Sequence, residues 1–549
     1  MATEKIADFD AILKKAKAAG QSDAAKTRLG NRKAATATFC SKATIRVVKG
    51  EIARVVDEAE TALIAVANAA PIMERGGMLV QPIVGQLPAT RGRRTEATML
   101  RRLSAANVVY LLNKHAAGFE RYDARSKNFV QIDPPPAVAT QLLEKGKWQF
   151  PRVAGVISAP TLRPDGTILD RPGYDQATQL WYAPDSRLVI PKLIDNPSRG
   201  QALEALQLLE ALLVNFPFGN DVDHAVTVAS VLTSVLRGAF DMAPMFLFRA
   251  HDVGAGKSYL ADLISTIARG RPCPVITFVK SIEEMEKRLG ALVLEGVPII
   301  SLDNCSSDIG GDLLCQITER PLVKIRILGK SETPECEWRG VLHITGNNVT
   351  FAADVSRRGL VANLDPKVER AELREFDFDP IELVLANRGA YVAAAITIAR
   401  AYIAAGKPSV CGPLGSYEQW SDIVRAPLIW LKREDPVKSM DKAREEDPVR
   451  QAVNNLINVW RAQLMHGPGY TAAMLIERAT DRTQDRLPTT DLYELLLQQA
   501  GTPRGDINTK TLSHWLKSIL GRIHDGYTIK RVKEDDKHGN RYALVKTSS

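Results

Sequence analysis

The stretch that most limits what this chain can fold into is Pro244–Ser258, PMFLFRAHDVGAGKS. Met245–Phe248 is a short apolar run that reads as a buried strand. A glycine-bearing loop breaks it, and Lys257-Ser258 then open an amphipathic segment, SYLADLISTIA. Strand, tight loop and helix in that order is the setting in which GKS cradles phosphate. Backbone N–H groups at the helix start face the anion, Lys257 reaches the outer phosphates of a nucleoside triphosphate, and the Ser258 hydroxyl is suited to Mg2+. Val253, Gly254, Ala255, Gly256 and Tyr259 complete the expected nucleotide contacts. His251 stands where the usual spacing has a glycine, so the cradle survives only if His251 takes an ordinary backbone conformation.

At 549 residues the chain is too long for one core, and two to four domains are expected. No apolar run reaches the roughly 18 residues of a membrane span, and the first twenty residues lack the apolar centre of a signal peptide. The expectation is a cytoplasmic protein with no membrane partner. Six cysteines without a CxxC spacing argue against a disulfide scaffold or a zinc ribbon. A net charge of +9 is compatible with a nucleic-acid partner without requiring one.

The expected organisation is a basic tail or linker (1–45), an α+β domain (46–195), a helical subdomain (196–240), an α/β core (241–380), a helical domain (381–500) and a terminal helix with a basic hairpin (501–549) of winged-helix type. The basic cluster Arg91–Arg102 is either a solvated face or a phosphate contact. In the core, strands are expected at 245–249, 275–279, 297–302, 341–345 and 359–363, with helices at 257–269, 281–294, 309–319 and 352–358. Such alternation means a parallel α/β sheet. Residues 322–338 read as an inserted hairpin carrying Lys324, Arg326 and Lys330.

Three further stretches carry chemistry. PIISLDNC ends a buried strand in Asp303, where a Mg2+-organising aspartate belongs, while Asn304 occupies the place of the usual water-activating glutamate. Glu283 and Glu284, just past strand 275–279, are candidates to supply that carboxylate; the alternative is a solvated helix surface. VLHITGNN ends a strand in Asn347, suited to hold a γ-phosphate or lytic water or merely to cap the next helix. Adjacent Arg357 and Arg358 enter the last strand and want an anionic partner, a neighbouring subunit's nucleotide; the alternative is one internal salt bridge plus one solvent-facing arginine.

HDVGAGKS, ISLDN, HITGNN and DVSRR, in that order, resemble the ATPase core of phage and mobile-element replicative helicases, ring-forming AAA+ proteins akin to the superfamily 3 and poxvirus-type primase-helicases. The resemblance implies an AAA+ fold with ATP and Mg2+ on Lys257, Ser258 and Asp303, and a nucleotide sensor at Asn347. It also implies an arginine finger at Arg357 or Arg358 and a DNA-contacting pore hairpin around Lys330. Arg425 becomes a further phosphate sensor. Apart from the resemblance, Lys530, Arg531 and Lys533 of the basic terminal hairpin are candidate DNA contacts that favour an initiator or loader. The LDN form with Asn304 resembles that of these phage proteins. No paired-aspartate polymerase motif precedes the core, so the resemblance is to the helicase half. The expectation is a hexameric DNA helicase on single-stranded or forked DNA, partnered by a primase or another replication protein. The alternatives are an initiator or loader, an inactive ATP-binding scaffold, or a defence ATPase.

Overall fold

The computed structural model describes residues 43–547 except 280, 328–331, 353–354, 369, 375, 446–447, 465–468, 481–489 and 534–539. The apolar runs of the core become β1 (Met245–Ala250), β2 (Val275–Thr277), β3 (Ile299–Cys305), β4 (Val341–Asn347) and β5 (Gly359–Leu364). Their order is β2-β3-β4-β1-β5, every pairing parallel. Met245 through Phe248 are fully buried, as befits a central parallel strand covered on both faces. The crossovers are α1 (Lys257–Arg269), α2 (Ile282–Leu294) and α3 (Asp312–Glu319). The mixed α/β architecture with flanking helices is the one the sequence led us to expect.

β3 and β4 run further than expected, to Cys305 and Asn347, because backbone pairing continues through polar residues that break an apolar pattern. β2 stops earlier, at Thr277. Where a helix was expected over 352–358, the described residues Val355–Arg357 form a turn. Seven residues are too few to nucleate a helix without tertiary support.

Two helices before β1, Arg199–Ala211 and Asp221–Val235, start at capping boxes, Ser198 with Gln201 and Asn220 with Asp223. They share one apolar core with α1, β1, β5 and the buried helix Arg388–Ala404. Among the described residues no single helix is long and apolar enough to cross a membrane.

The chain divides into two compact units, residues to Val349 with Arg358–Met440, and Thr350–Arg357 with Asp441–Ser549. In the first, the α+β segment is bolted to the core by Arg75, which the sequence does not flag. The hairpin Met73–Arg75 and Met78–Pro88 turns at Gly76 and Gly77, both left-handed, and sends the Arg75 guanidinium into the interior. There it donates to the carbonyls of Val293 and Leu294, at 2.7 and 2.8 Å, and to those of Val153 and Ala154. It thereby caps the C-terminal end of α2. The second unit packs helices Pro448–Gln463, Ala472–Thr480, Thr490–Ala500 and Thr509–Ser518 around Trp460, Leu496 and Leu512. An antiparallel sheet made chiefly of Tyr527–Lys533 and Arg541–Lys546 completes it.

His343 lies fully buried in the middle of β4, with Nε2 3.0 Å from Ser230 Oγ and the rings of Phe246 and Phe248 against it. Burial pushes its pKa from 6.5 down to about 3. Below pH 6.5 the unfolded chain takes up a proton that the folded chain refuses until about pH 3, so the stability conferred by neutral His343 is complete above that window and falls with pH inside it. Wild type is expected to lose about 2 kcal/mol more than His343→Gln between pH 7 and pH 5 in urea titrations. Equal losses would refute this account.

Candidate nucleotide site

Between β1 and α1 the chain turns through Gly254 (φ 82°) and Gly256 (φ 93°), both left-handed, so a side chain at either position would be strained. Gly256 immediately precedes α1, leaving the helix's first N–H groups facing the loop. His251 is not among the left-handed residues. Its Nδ1 lies 2.9 Å from the Asn348 amide oxygen, and Asn348 N donates to the Ala250 carbonyl at 3.1 Å. The residue that departs from the motif thus ties the loop to the end of β4.

Lys257 folds back on its own loop, Nζ donating to the Asp252 carbonyl at 3.0 Å. Partial burial lowers its pKa, opposed by the charges of Asp252 and Asp303. The Ser258 hydroxyl donates to Asp303 Oδ1 at 2.7 Å, and Thr345 Oγ1 donates to the same oxygen at 2.7 Å. Thr345 in turn accepts from Asn304 N at 3.0 Å. Sequence reasoning missed Thr345; its signal was a polar residue two before Asn347 on the same face of a buried strand.

Asn304 sits in a bulge where the β3–β4 register shifts between Leu302 and Cys305, with φ 58°. Asparagine enters the left-handed region far more readily than glutamate. The backbone thereby accounts for the residue that looked out of place. Asn347 ends β4 opposite Ala250, and its amide oxygen is buried with no hydrogen-bond partner among the described residues.

Several expected participants stand elsewhere. Glu283 and Glu284 begin α2 on its surface, paired with Lys287 at 2.8 Å and Arg288 at 3.0 Å, one helical turn on. That is the solvated-surface alternative. Arg425 is buried against Asp435, 2.9 and 2.6 Å to its two oxygens, and donates to the Gly412 carbonyl, so an internal carboxylate occupies the fork a phosphate would need. Arg358 is buried and bonded to Glu319 at 2.7 Å, the internal-carboxylate alternative, while Arg357 is exposed. The Tyr259 hydroxyl donates to Asp379, which caps helix Pro380–Ala386; burial and that carboxylate raise its pKa. Its ring is 6.2 Å from that of Phe216.

The inserted hairpin forms, Leu322–Lys324 pairing with Glu335–Glu337. Val323, Ile325 and Cys336 face inward, Lys324 and Arg326 outward, and Lys330 falls outside the described residues. In the second unit Lys530 and Arg531 are exposed on strand Tyr527–Lys533, which Lys533 ends. Of the basic cluster, Arg91, Arg93 and Arg94 line a cleft of about 310 Å³ with Thr277 and Asp303. Thr90 Oγ1 donates to buried Asp262 at 2.7 Å, fixing that loop beside β2. Among the described residues no group of three or more His, Cys, Asp or Glu could hold a metal by itself.

No family model and no curated protein matches the chain. Among solved structures it is similar to the C-terminal region of NrS-1, with TM-score 0.35 and 12% identity over 88% of this chain and 98% of that one. A second is SCCmec type IV Cch, described as an active helicase, with TM-score 0.34 and 9% identity over 87% and 97%. A third is the JCV helicase, with TM-score 0.20 and 11% identity over 45% and 68%.

Proposed function

We propose that the chain is a Mg2+-dependent ATPase serving as the motor of a ring-forming DNA helicase of the phage and mobile-element type. The observation that carries this reading is the convergence of Ser258, Asp303 and Thr345 at the carboxyl ends of β3 and β4, beside two left-handed glycines and Lys257. A hydroxyl and a carboxylate oxygen are the donors Mg2+ prefers, the rest of its shell being phosphate and water. Ser258 and Asp303 would hold the ion, which when bound neutralises phosphate charge. Lys257 exchanges the Asp252 carbonyl for the outer phosphates, and the N–H groups of the loop and of α1 cradle the rest. The unpaired oxygen of Asn347 accepts a hydrogen bond from the attacking water. An amide orients water without taking its proton, so catalysis here rests on positioning and charge stabilisation.

In this reading Arg357 is the finger supplied to a neighbouring subunit of a hexamer, and Lys324 and Arg326 carry single-stranded DNA in the pore, together with Lys330, which lies outside the described residues. A primase or another replication protein is the candidate partner. A second reading, an initiator or loader without processive unwinding, draws on the exposed Lys530 and Arg531 beside Lys533, as a winged-helix contact to duplex DNA would. The deciding experiment measures ATP hydrolysis with and without single-stranded DNA, beside strand displacement on a forked duplex. DNA-stimulated hydrolysis with displacement supports the helicase. Hydrolysis without displacement selects the initiator or loader, and its complete absence leaves an ATP-binding scaffold.

A further inference from the structure

Among the described residues, the sheet formed by Ala43–Val47, Ala117–Asp123 and Asn128–Ile132 is covered on one face. Ile45 and Phe119 point into a core shared with helices Ile52–Ala65 and Pro136–Glu144. By strand alternation the other face carries Arg46, Gly118, Tyr122, Phe129 and Gln131. Tyr122 and Phe129 stand opposite each other, ring centroids 5.6 Å apart at 69°, and are 53% and 36% exposed. The Arg46 guanidinium lies 4.4 Å from the Phe129 centroid with 61% of its side chain in solvent. A side-chain carbon added at Gly118 would meet nothing within 4 Å, so the middle of the face is open.

Charge on this face favours an anion. Its one acid, Glu120, is paired with Arg46 at 3.4 Å. Asp123 is turned to the backbone, accepting from the N–H groups of Arg125 and Ser126, which lowers its pKa. Arg125 and Lys127 stand exposed in the turn beside the aromatic pair. Aromatic faces interleaved with guanidinium and ammonium groups suit unstacked bases on a flexible phosphate backbone.

We infer that this face is a stacking platform for single-stranded nucleic acid, Tyr122 and Phe129 each taking a base while Arg46, Arg125 and Lys127 meet the phosphates. It lies outside the nucleotide site, and DNA as partner rests on the proposed function. The test is fluorescence anisotropy of the full chain with a labelled 20-nucleotide oligothymidylate, without nucleotide and in the Lys257→Ala background, so that its outcome is independent of hydrolysis. Tyr122→Ala is expected to weaken binding about tenfold and Tyr122→Phe to restore it. An abasic strand of equal length should bind weakly to wild type and be indifferent to Tyr122→Ala. Bromodeoxyuridine photocrosslinking should map to Tyr122 or Phe129. Unchanged affinity in Tyr122→Ala overturns the inference, as does equal loss for the abasic strand or crosslinks confined to residues 1–42. A change of oligomeric state without a change of affinity would make the face a contact between copies, and also overturns it. If ATP hydrolysis is absent yet the Tyr122 crosslink persists, the helicase reading fails and the platform stands.

Discussion

Lys257→Ala is expected to lower ATP hydrolysis at least a hundredfold, the scale on which removing one preorganised charge from a phosphoryl-transfer site is felt. Nothing in the fold resists the change. The ammonium makes one hydrogen bond, to the Asp252 carbonyl at the mouth of its own loop, and the aliphatic stem is only half-buried. Thermal unfolding should therefore move by no more than the roughly 1 kcal/mol of a single exposed hydrogen bond. That separation makes the measurement informative: phosphate release falls while the protein melts as wild type does. Asp303→Ala should instead lose hydrolysis and some stability together, because Asp303 Oδ1 is where Ser258 and Thr345 meet. If Lys257→Ala keeps wild-type turnover, the loop is not a phosphate cradle and the proposed function falls with it.

What could be read in advance divides along physical lines. The order strand, glycine loop, helix at 245–269 was legible because it is local: apolar run, left-handed positions and amphipathic helix are each written in consecutive residues. The strands ending in Asp303 and Asn347 were legible for the same reason, though their last polar residues were not, since ladder hydrogen bonds leave no hydropathy signal. Charged residues were the illegible class. Arg425, Glu283 and Arg75 look alike in sequence, yet one is held by Asp435, one pairs with Lys287 on a helix surface, and one caps a helix 219 residues distant. A charge reports that it needs a partner and does not say which, because the partner is chosen by tertiary contact. Asn304 shows the converse: a residue that reads as a catalytic loss is what a left-handed bulge admits.

The adjacent arginines turn this distinction into an experiment. Arg358→Ala is expected to destabilise its unit by about 2 kcal/mol, less than the 3–5 kcal/mol typical of breaking a fully buried pair. Glu319 is 25% exposed and regains water, and the Nε and Nη1 of Arg358 are already buried without partners among the described residues, so their cost disappears with the side chain. Arg357→Ala, at an exposed position, should cost no more than the roughly 1 kcal/mol of an exposed ion pair. Its effect is expected on turnover, about a thousandfold if it completes a neighbour's site as a finger does. Mixed assemblies separate the two roles. Arg357→Ala subunits keep their own Lys257 and Ser258, so wild-type neighbours should lend them activity, and activity should regenerate when Arg357→Ala is mixed with Lys257→Ala. Arg358→Ala offers no such complementation, since its loss is felt within one chain. Regeneration by Arg358→Ala and none by Arg357→Ala would exchange the assignments and show that the Glu319 pair opens when subunits meet.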